Sequence, residues 1–257
     1  MDLAERLKSG KPAFTSWSGV PDALTVEMMA RLDFDAVTLD MQHGGHDTAS
    51  VLRSIPAITG AGKHPIVRIP VGRFDMASRA LDFGAQAVIA PMINTIEDAR
   101  RFAAAMKYPP VGERSWGPTF AMPRSGITSG AEWLATQNAR TVSLAMIETR
   151  EAYAIAGDIL ELPGIDGVFV GPSDFSIAWS NGREVNTGLE DMMEAIADIA
   201  AIARKAGKFA AIYAMDPASS GRYAAMGYQL FAFGNEQGLM RAGADSVLAA
   251  ARGSIKQ

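Results

Sequence analysis

Cysteine is absent from the 257 residues, which excludes a disulfide framework, a thiolate zinc site, an iron–sulfur cluster and a cysteine nucleophile. An excess of charge of one sign is missing too. The 24 Lys and Arg stand against 28 Asp and Glu and are scattered, so nothing points to nucleic acid or to an acidic membrane surface as partner. No apolar run reaches the roughly 20 residues that span a bilayer. The start, Met1-Asp2-Leu3-Ala4-Glu5-Arg6, has no apolar segment of the secretory type, and a soluble, cytoplasmic protein is expected. Also lacking are a Gly-rich phosphate loop, a G-x-S-x-G elbow and an H-E-x-x-H pair, which counts against kinases, serine hydrolases and metalloproteases. Lysine is scarce. Lys8, Lys11, Lys63, Lys107, Lys205, Lys208 and Lys256 all fall before strands, within or at the ends of helices, or near a terminus, so none is placed to form a Schiff base.

What the chain does have is a repeating alternation of short apolar runs with helical patterns, the signature of parallel strands joined by helical crossovers. Eight strands are expected, at Ala13–Ser16, Ala36–Met41, Pro65–Ile69, Ala87–Pro91, Ser143–Ile147, Gly167–Val170, Phe209–Ala214 and Gln229–Phe233. Their apolar residues run on continuously, as they do when both faces of a strand are buried. Nine helices fill the gaps: Ala23–Leu32, Thr48–Thr59, Met76–Phe83, Ile96–Lys107, Ala131–Ala139, Ala152–Leu160, Leu189–Lys205, Pro217–Met226 and Gln237–Ala251. Eight βα units over residues 1–257 predict a single α/β domain, a (β/α)8 TIM barrel. An open doubly wound sheet is the alternative, weakened because no G-x-G-x-x-G follows the first strand. Leu3 and Leu7 predict a short N-terminal helix plugging the barrel. One long irregular stretch, Tyr108–Gly130, carries Arg114, Trp116 and Arg124, and its length suggests a functional lid or a subunit contact.

In such a barrel the reacting groups sit at the C-terminal ends of strands. Asp40, Gln42 and His43 follow the second strand, Arg68 closes the third, Glu148 follows the fifth, and Gly171-Pro172-Ser173-Asp174 follows the sixth. Glu148 and Asp174, on neighbouring strands, read as paired oxygen ligands for a divalent cation, with Mg²⁺, Mn²⁺ or Co²⁺ suiting them better than zinc. The plainer alternative makes each a solvated acid at a helix start, favoured there by the dipole. Asp40 lies three residues before His43 and could orient its imidazole as a general base. His46 competes for that role but lies further from the strand end, and His64 precedes its strand. Arg68 within an apolar run needs a reason: a buried ion pair with Asp40 or Glu148, stabilisation of an oxyanion, or both. The glycine-proline turn could offer the amides of Ser173 and Asp174 to a carboxylate, or be a simple strand-to-helix turn.

Five strings in order, Thr38-Leu39-Asp40-Met41-Gln42-His43-Gly44, Val67-Arg68-Ile69-Pro70, Ala80-Leu81-Asp82-Phe83-Gly84-Ala85, Ala145-Met146-Ile147-Glu148-Thr149 and Val168 to Ser176, span nearly the whole chain. Together they resemble the metal-dependent (class II) pyruvate aldolases of the HpcH/HpaI family, which cleave 4-hydroxy-2-oxo acids to pyruvate and an aldehyde. The wider group includes citryl- and malyl-CoA lyase types. The resemblance implies that Glu148 and Asp174 hold the cation, that Arg68 contacts the keto or enolate oxygen, and that His43 with Asp40 handles the proton, partly through water. It implies that Gly171, Pro172, Ser173 and Asp174 bind the pyruvate carboxylate. It further implies a hexamer, a trimer of dimers with the last helix exchanged between neighbours, in which Asp82 approaches the site of an adjacent subunit. Two residues depart from the pattern: Met146 replaces a usual Gln, and Gln42 stands where many members carry Glu.

On this reading pyruvate loses a methyl proton, and its enolate adds reversibly to an aldehyde whose end of the pocket is shaped by the Tyr108–Gly130 stretch, with Arg124 and Trp116. A CoA-thioester lyase would need a basic surface near the strand ends, and none is evident. A non-catalytic binding barrel would show no metal-dependent turnover, and a Schiff-base aldolase would be trapped by borohydride.

Overall fold

A computed structural model describes residues 1–255 of the chain; Lys256 lies outside them. Eight strands, β1 (Ala13–Ser18), β2 (Ala36–Asp40), β3 (His64–Arg68), β4 (Ala87–Ala90), β5 (Val142–Ile147), β6 (Gly167–Val170), β7 (Phe209–Tyr213) and β8 (Leu230–Asn235), alternate with helices. Each is parallel to the next, and β8 pairs with β1 to close the barrel. The expected (β/α)8 architecture is therefore the observed one.

Side chains alternate across a strand with period two, and here the alternation separates two cores. Val37 and Leu39 of β2, Val67 of β3, Ala145 and Ile147 of β5, and Val168 and Val170 of β6 point outward to the helices. Ala36, Ile66, Leu144, Met146 and Phe169 point inward and fill the barrel with Leu3 and Leu7 of the short helix Leu3–Lys8. Both leucines are fully buried. The plug is pinned by the capping box of Asp2 and Glu5 and by the Leu3 amide, which donates to Gln86 Oε1 at 2.8 Å.

The same period carries polar residues inward at the top: Asp40 follows Ala36 and Thr38, Arg68 follows Ile66, and Glu148 follows Leu144 and Met146. Because apolar residues occupy both faces below, the strands read as continuous runs, and the inward polar residue appears only where the run ends. Side-chain caps then start the helices; Thr149 Oγ1 accepts the Ala152 amide at 3.1 Å immediately after Glu148. Gly84 and Gly227 end helices at φ 112° and 111°, left-handed values that favour glycine.

Several boundaries differ from the sequence reading. β1 runs two residues further, to Ser18, and β8 extends to Asn235. Pro172–Trp179, expected only as a turn, is a helix with proline in its first turn. Ala152–Leu160 is two short helices, Arg150–Ala154 and Ala156–Glu161. Three helices, Ile96–Met106, Ala121–Ser125 and Gly130–Arg140, occupy the connection from β4 to β5, the middle one inside the stretch expected to be irregular. The last lies under the barrel beside the N-terminal helix, where Arg140 pairs with Asp2 at 2.8 Å. The last helix, Glu236–Ile255, leaves the body, and Met240, Val247, Leu248 and Ile255 on it face solvent. No helix among the described residues is long and apolar enough to cross a membrane.

Candidate active site

The strand ends enclose a cavity of about 450 Å³. Trp17, Asp40, Arg68, Met146, Phe169 and Tyr213, all inward residues by the strand period, border it, and His43 and the segment Gly171–Asp174 form part of its rim.

Asp40 and Arg68 are direct partners in the β2–β3 register. Arg68 donates from Nε to Oδ1 at 2.8 Å and from Nη2 to Oδ2 at 2.6 Å, a bidentate geometry that only a guanidinium supplies. Trp17 donates its indole N–H to Oδ2 at 3.2 Å and lies 4.9 Å from the guanidinium, a cation–π contact. The amides of Gln42, His43 and Gly44 donate to the same carboxylate at 3.0, 3.3 and 3.1 Å. Burial alone would raise the Asp40 pKa, but the Arg68 hydrogen bonds and charge hold it below the ordinary carboxylate value.

These contacts revise one expectation. Asp40 does not orient the His43 ring. It holds the main chain of His43 while its oxygens serve Arg68 and Trp17. His43 itself is exposed at the cavity rim. His46 is buried, with Nε2 2.9 Å from Ser18 Oγ and Nδ1 3.1 Å from Ser50 Oγ. Burial lowers its pKa against the raising effect of Glu236, Asp40 and Asp47. His64 lies at the opposite end of the barrel, bonded to Gln86.

Glu148 is buried behind Gly171 rather than on the cavity wall, and its Oε1 accepts the Met92 amide at 2.8 Å. A Cβ on Gly171 would sit 2.6 Å from Glu148 Oε2, so glycine is needed there to leave that oxygen room. Burial, with the nearby Asp174 charge, pushes the Glu148 pKa up to about 7, against the lowering effects of the Met92 amide and Arg68. Neither Glu148 nor Asp174 forms an ion pair among the described residues. Two hard oxygen donors without a cationic partner among the described residues, the charge of Asp174 helping to raise the Glu148 pKa, fit a divalent metal ion. No group of three or more His, Cys, Asp or Glu converges among the described residues, so such an ion would keep positions for water or substrate.

The helix Pro172–Trp179 presents its N-terminus to the cavity. Its first main-chain bond runs from the Phe175 amide to Gly171 O at 3.0 Å, which leaves the amides of Ser173 and Asp174 ahead of it for an anionic oxygen. Met146, where the resemblance implies glutamine, is buried and gives this side of the cavity an apolar patch.

Other expected site residues lie elsewhere in this chain. Asp82, on the helix Asp75–Phe83, bonds Arg114 at 2.7 Å; burial raises its pKa, and Arg114 opposes the rise. The Tyr108–Gly130 stretch runs from the end of the helix Ile96–Met106 to the start of the helix Gly130–Arg140, contains the short helix Ala121–Ser125, and lies at the N-terminal face, where Arg124 borders one cleft with Asp2, Gln86 and Thr141. Arg124 there donates to Phe83 O at 2.6 Å, and Trp116 is exposed. Neither borders the cavity, so the expectation that they shape its aldehyde end is not met within one chain. Lys107 is buried at that same face, donating to Asn138 O, Thr141 O and Asp166.

The sequence reading missed Trp17, Tyr213 and Glu236. Glu236 follows β8, is 6% exposed, and borders the cavity. A polar residue closing the last apolar run is the signal that could have found it.

A closed parallel barrel whose strand ends gather a buried Arg–Asp pair and two acids unpaired among the described residues has the layout of a barrel enzyme. Residues 14–242 match the HpcH/HpaI aldolase/citrate lyase family, and the chain belongs to it. It is 38% identical over 247 residues to a hydroxypyruvate/pyruvate aldolase of Rhizorhabdus wittichii, covering 95% of each chain. It is 32% identical over 245 residues to a 4-hydroxy-2-oxo-heptane-1,7-dioate aldolase of Salmonella typhimurium, covering 95% of this chain and 92% of that one. Among solved structures, a family protein from Burkholderia cenocepacia superposes with a TM-score of 0.85 at 26% identity, covering 97% of this chain and 98% of the other.

Proposed function

We propose that the protein is a divalent-metal-dependent aldolase that reversibly cleaves 4-hydroxy-2-oxo acids to pyruvate and an aldehyde. The observation that carries this reading is the placement of Glu148 and Asp174, without cationic partners among the described residues, on adjacent strand ends beside Arg68. The names of the relatives agree with it.

Glu148 and Asp174 would hold Mg²⁺, Mn²⁺ or Co²⁺, which when bound supplies a Lewis acid at the keto oxygen. The amides of Ser173 and Asp174 bind the pyruvate carboxylate, with Gly171 and Pro172 setting the close approach. Arg68 has five N–H groups, of which Asp40 takes two. The rest have no partner among the described residues and can donate to the oxygen that carries the negative charge of the pyruvate enolate released when the C3–C4 bond breaks. Trp17 and Asp40 hold the guanidinium in place, so little reorganisation is needed as that charge develops. His43, at the rim, moves the proton of the C4 hydroxyl, partly through water. The working enzyme is a hexamer, a trimer of dimers with exchanged last helices, and Asp82 serves a neighbouring subunit's site. Support comes from the solvent-facing apolar residues on Glu236–Ile255, and light scattering should return six chains.

A CoA-thioester lyase is disfavoured because Arg68, already paired, is the one arginine bordering the cavity among the described residues, and no lysine borders it. The test is pyruvate release from 4-hydroxy-2-oxo acids with and without EDTA. Release that stops with EDTA and returns with Mg²⁺ or Mn²⁺ supports the aldolase; no release with any cation and any of several such acids overturns it.

A further inference from the structure

One charge on the cavity wall has no part in the chemistry above. Ser18 Oγ donates to Glu236 Oε1 at 2.7 Å and the Val20 amide does so at 3.2 Å, while the Gly19 amide donates to Oε2 at 3.1 Å. These donors are neutral. They fix the carboxylate between the ends of β8 and β1 without offsetting its charge, and no Lys or Arg pairs with it among the described residues.

The barrel order puts β8 between β7 and β1, whereas Glu148 and Asp174 follow β5 and β6. Glu236 therefore stands on another side of the mouth, two strands from Asp174 and three from Glu148, and borders the same cavity away from the proposed keto-acid end. That side is bordered also by Val20, Met215 and Asn235, none of which is cationic. A fixed anion in a partly dry cavity repels a second carboxylate far more than it would in water.

We propose that Glu236 selects the aldehyde, admitting uncharged ones and turning away those that end in a carboxylate. This rests on the aldolase reading, and the experiment separates the two. The probes are succinic semialdehyde and its methyl ester, which match in length and differ in the terminal charge. Each is condensed with pyruvate at saturating Mg²⁺, and the ratio of kcat/KM values is taken within each variant, so that a general loss of activity cancels. Wild type should favour the ester by about tenfold or more, and Glu236→Gln should bring the ratio to within about threefold. Ser18→Ala, which removes a bond to Glu236 but not its charge, should keep the preference.

Equal use of the two aldehydes by wild type overturns the proposal, as does a preference that survives Glu236→Gln. Should that variant fail to fold, the wild-type and Ser18→Ala ratios still decide. Deuterium uptake into pyruvate without any aldehyde tests the aldolase reading separately. Uptake with no ester preference defeats the Glu236 proposal alone, and no uptake defeats the aldolase reading along with it.

Discussion

Arg68 and Asp40 face each other across the β2–β3 register and share two hydrogen bonds, at 2.8 and 2.6 Å, inside the mouth of the barrel. The pair is both scaffold and reactive surface: one edge of the guanidinium is locked, and the other is left for substrate oxygen.

Arg68→Ala strands the Asp40 carboxylate in a buried place and should destabilise the protein by about 3–5 kcal/mol. Its aldolase activity should fall at least about 100-fold, the usual scale for losing one oxyanion donor. Because the folded Asp40 pKa is depressed below 3.8, the pair's stabilisation is present above that value and is lost as pH falls through the folded pKa. Urea unfolding of wild type and variant at pH 7 and pH 3 reads both effects. Equal stability at pH 7 would contradict the assignment.

Gly171→Ala is a second probe. The backbone at Gly171 has φ −102°, which any residue adopts, so strain is not at issue. The added Cβ meets Glu148 Oε2 at 2.6 Å and Met146 Cε at 3.0 Å, and Glu148 must turn away. Mn²⁺ affinity, followed by calorimetry or electron paramagnetic resonance, should drop about tenfold or more while circular dichroism is unchanged. Undiminished affinity would remove Glu148 from the metal site.

Cation binding should itself depend on pH. Glu148 must lose its proton to serve as a ligand, and burial beside Asp174 holds its pKa at about 7. Apparent affinity should therefore fall about tenfold for each pH unit below that value and level off above it. A flat profile between pH 5 and 7 would show that Glu148 is ionised throughout.

His43 and His64 should separate cleanly. His43→Ala should slow cleavage by about 10²–10⁴, the scale of one general acid–base group. His64→Ala, at the far end of the barrel, should leave turnover intact. Steady-state rates on one 4-hydroxy-2-oxo acid distinguish them, and equal losses would move the proton-transfer role away from His43.

The barrel and much of the site were legible because polar residues end apolar runs: Asp40, Arg68 and Glu148 are the points at which β2, β3 and β5 change character. Trp17 and Tyr213 were not legible, since an inward aromatic looks in sequence like any core residue. Glu236 was hidden because the last run was expected to stop at Phe233, two residues before β8 ends. The helix Pro172–Trp179 passed for a turn because its proline and glycine lie at its very start. The stretch Tyr108–Gly130 was misplaced although helices were expected on both sides of it: it starts where Ile96–Met106 has returned to the N-terminal face, so Arg124 and Trp116 sit away from the strand ends that form the cavity. The Asp40–His43 spacing was read as a side-chain contact, whereas the acid's oxygens were taken by Arg68, Trp17 and three main-chain amides.

The most direct measurement is hydrogen–deuterium exchange at the pyruvate methyl group in D₂O, followed by NMR with no aldehyde present. Rigorously demetallated wild type should show no exchange above the uncatalysed rate, with full recovery on adding Mg²⁺ or Mn²⁺ and none in Glu148→Ala or Asp174→Ala. Exchange that runs at full speed in the metal-free protein, or in either variant, would contradict the claim that these two acids hold the ion on which enolisation depends.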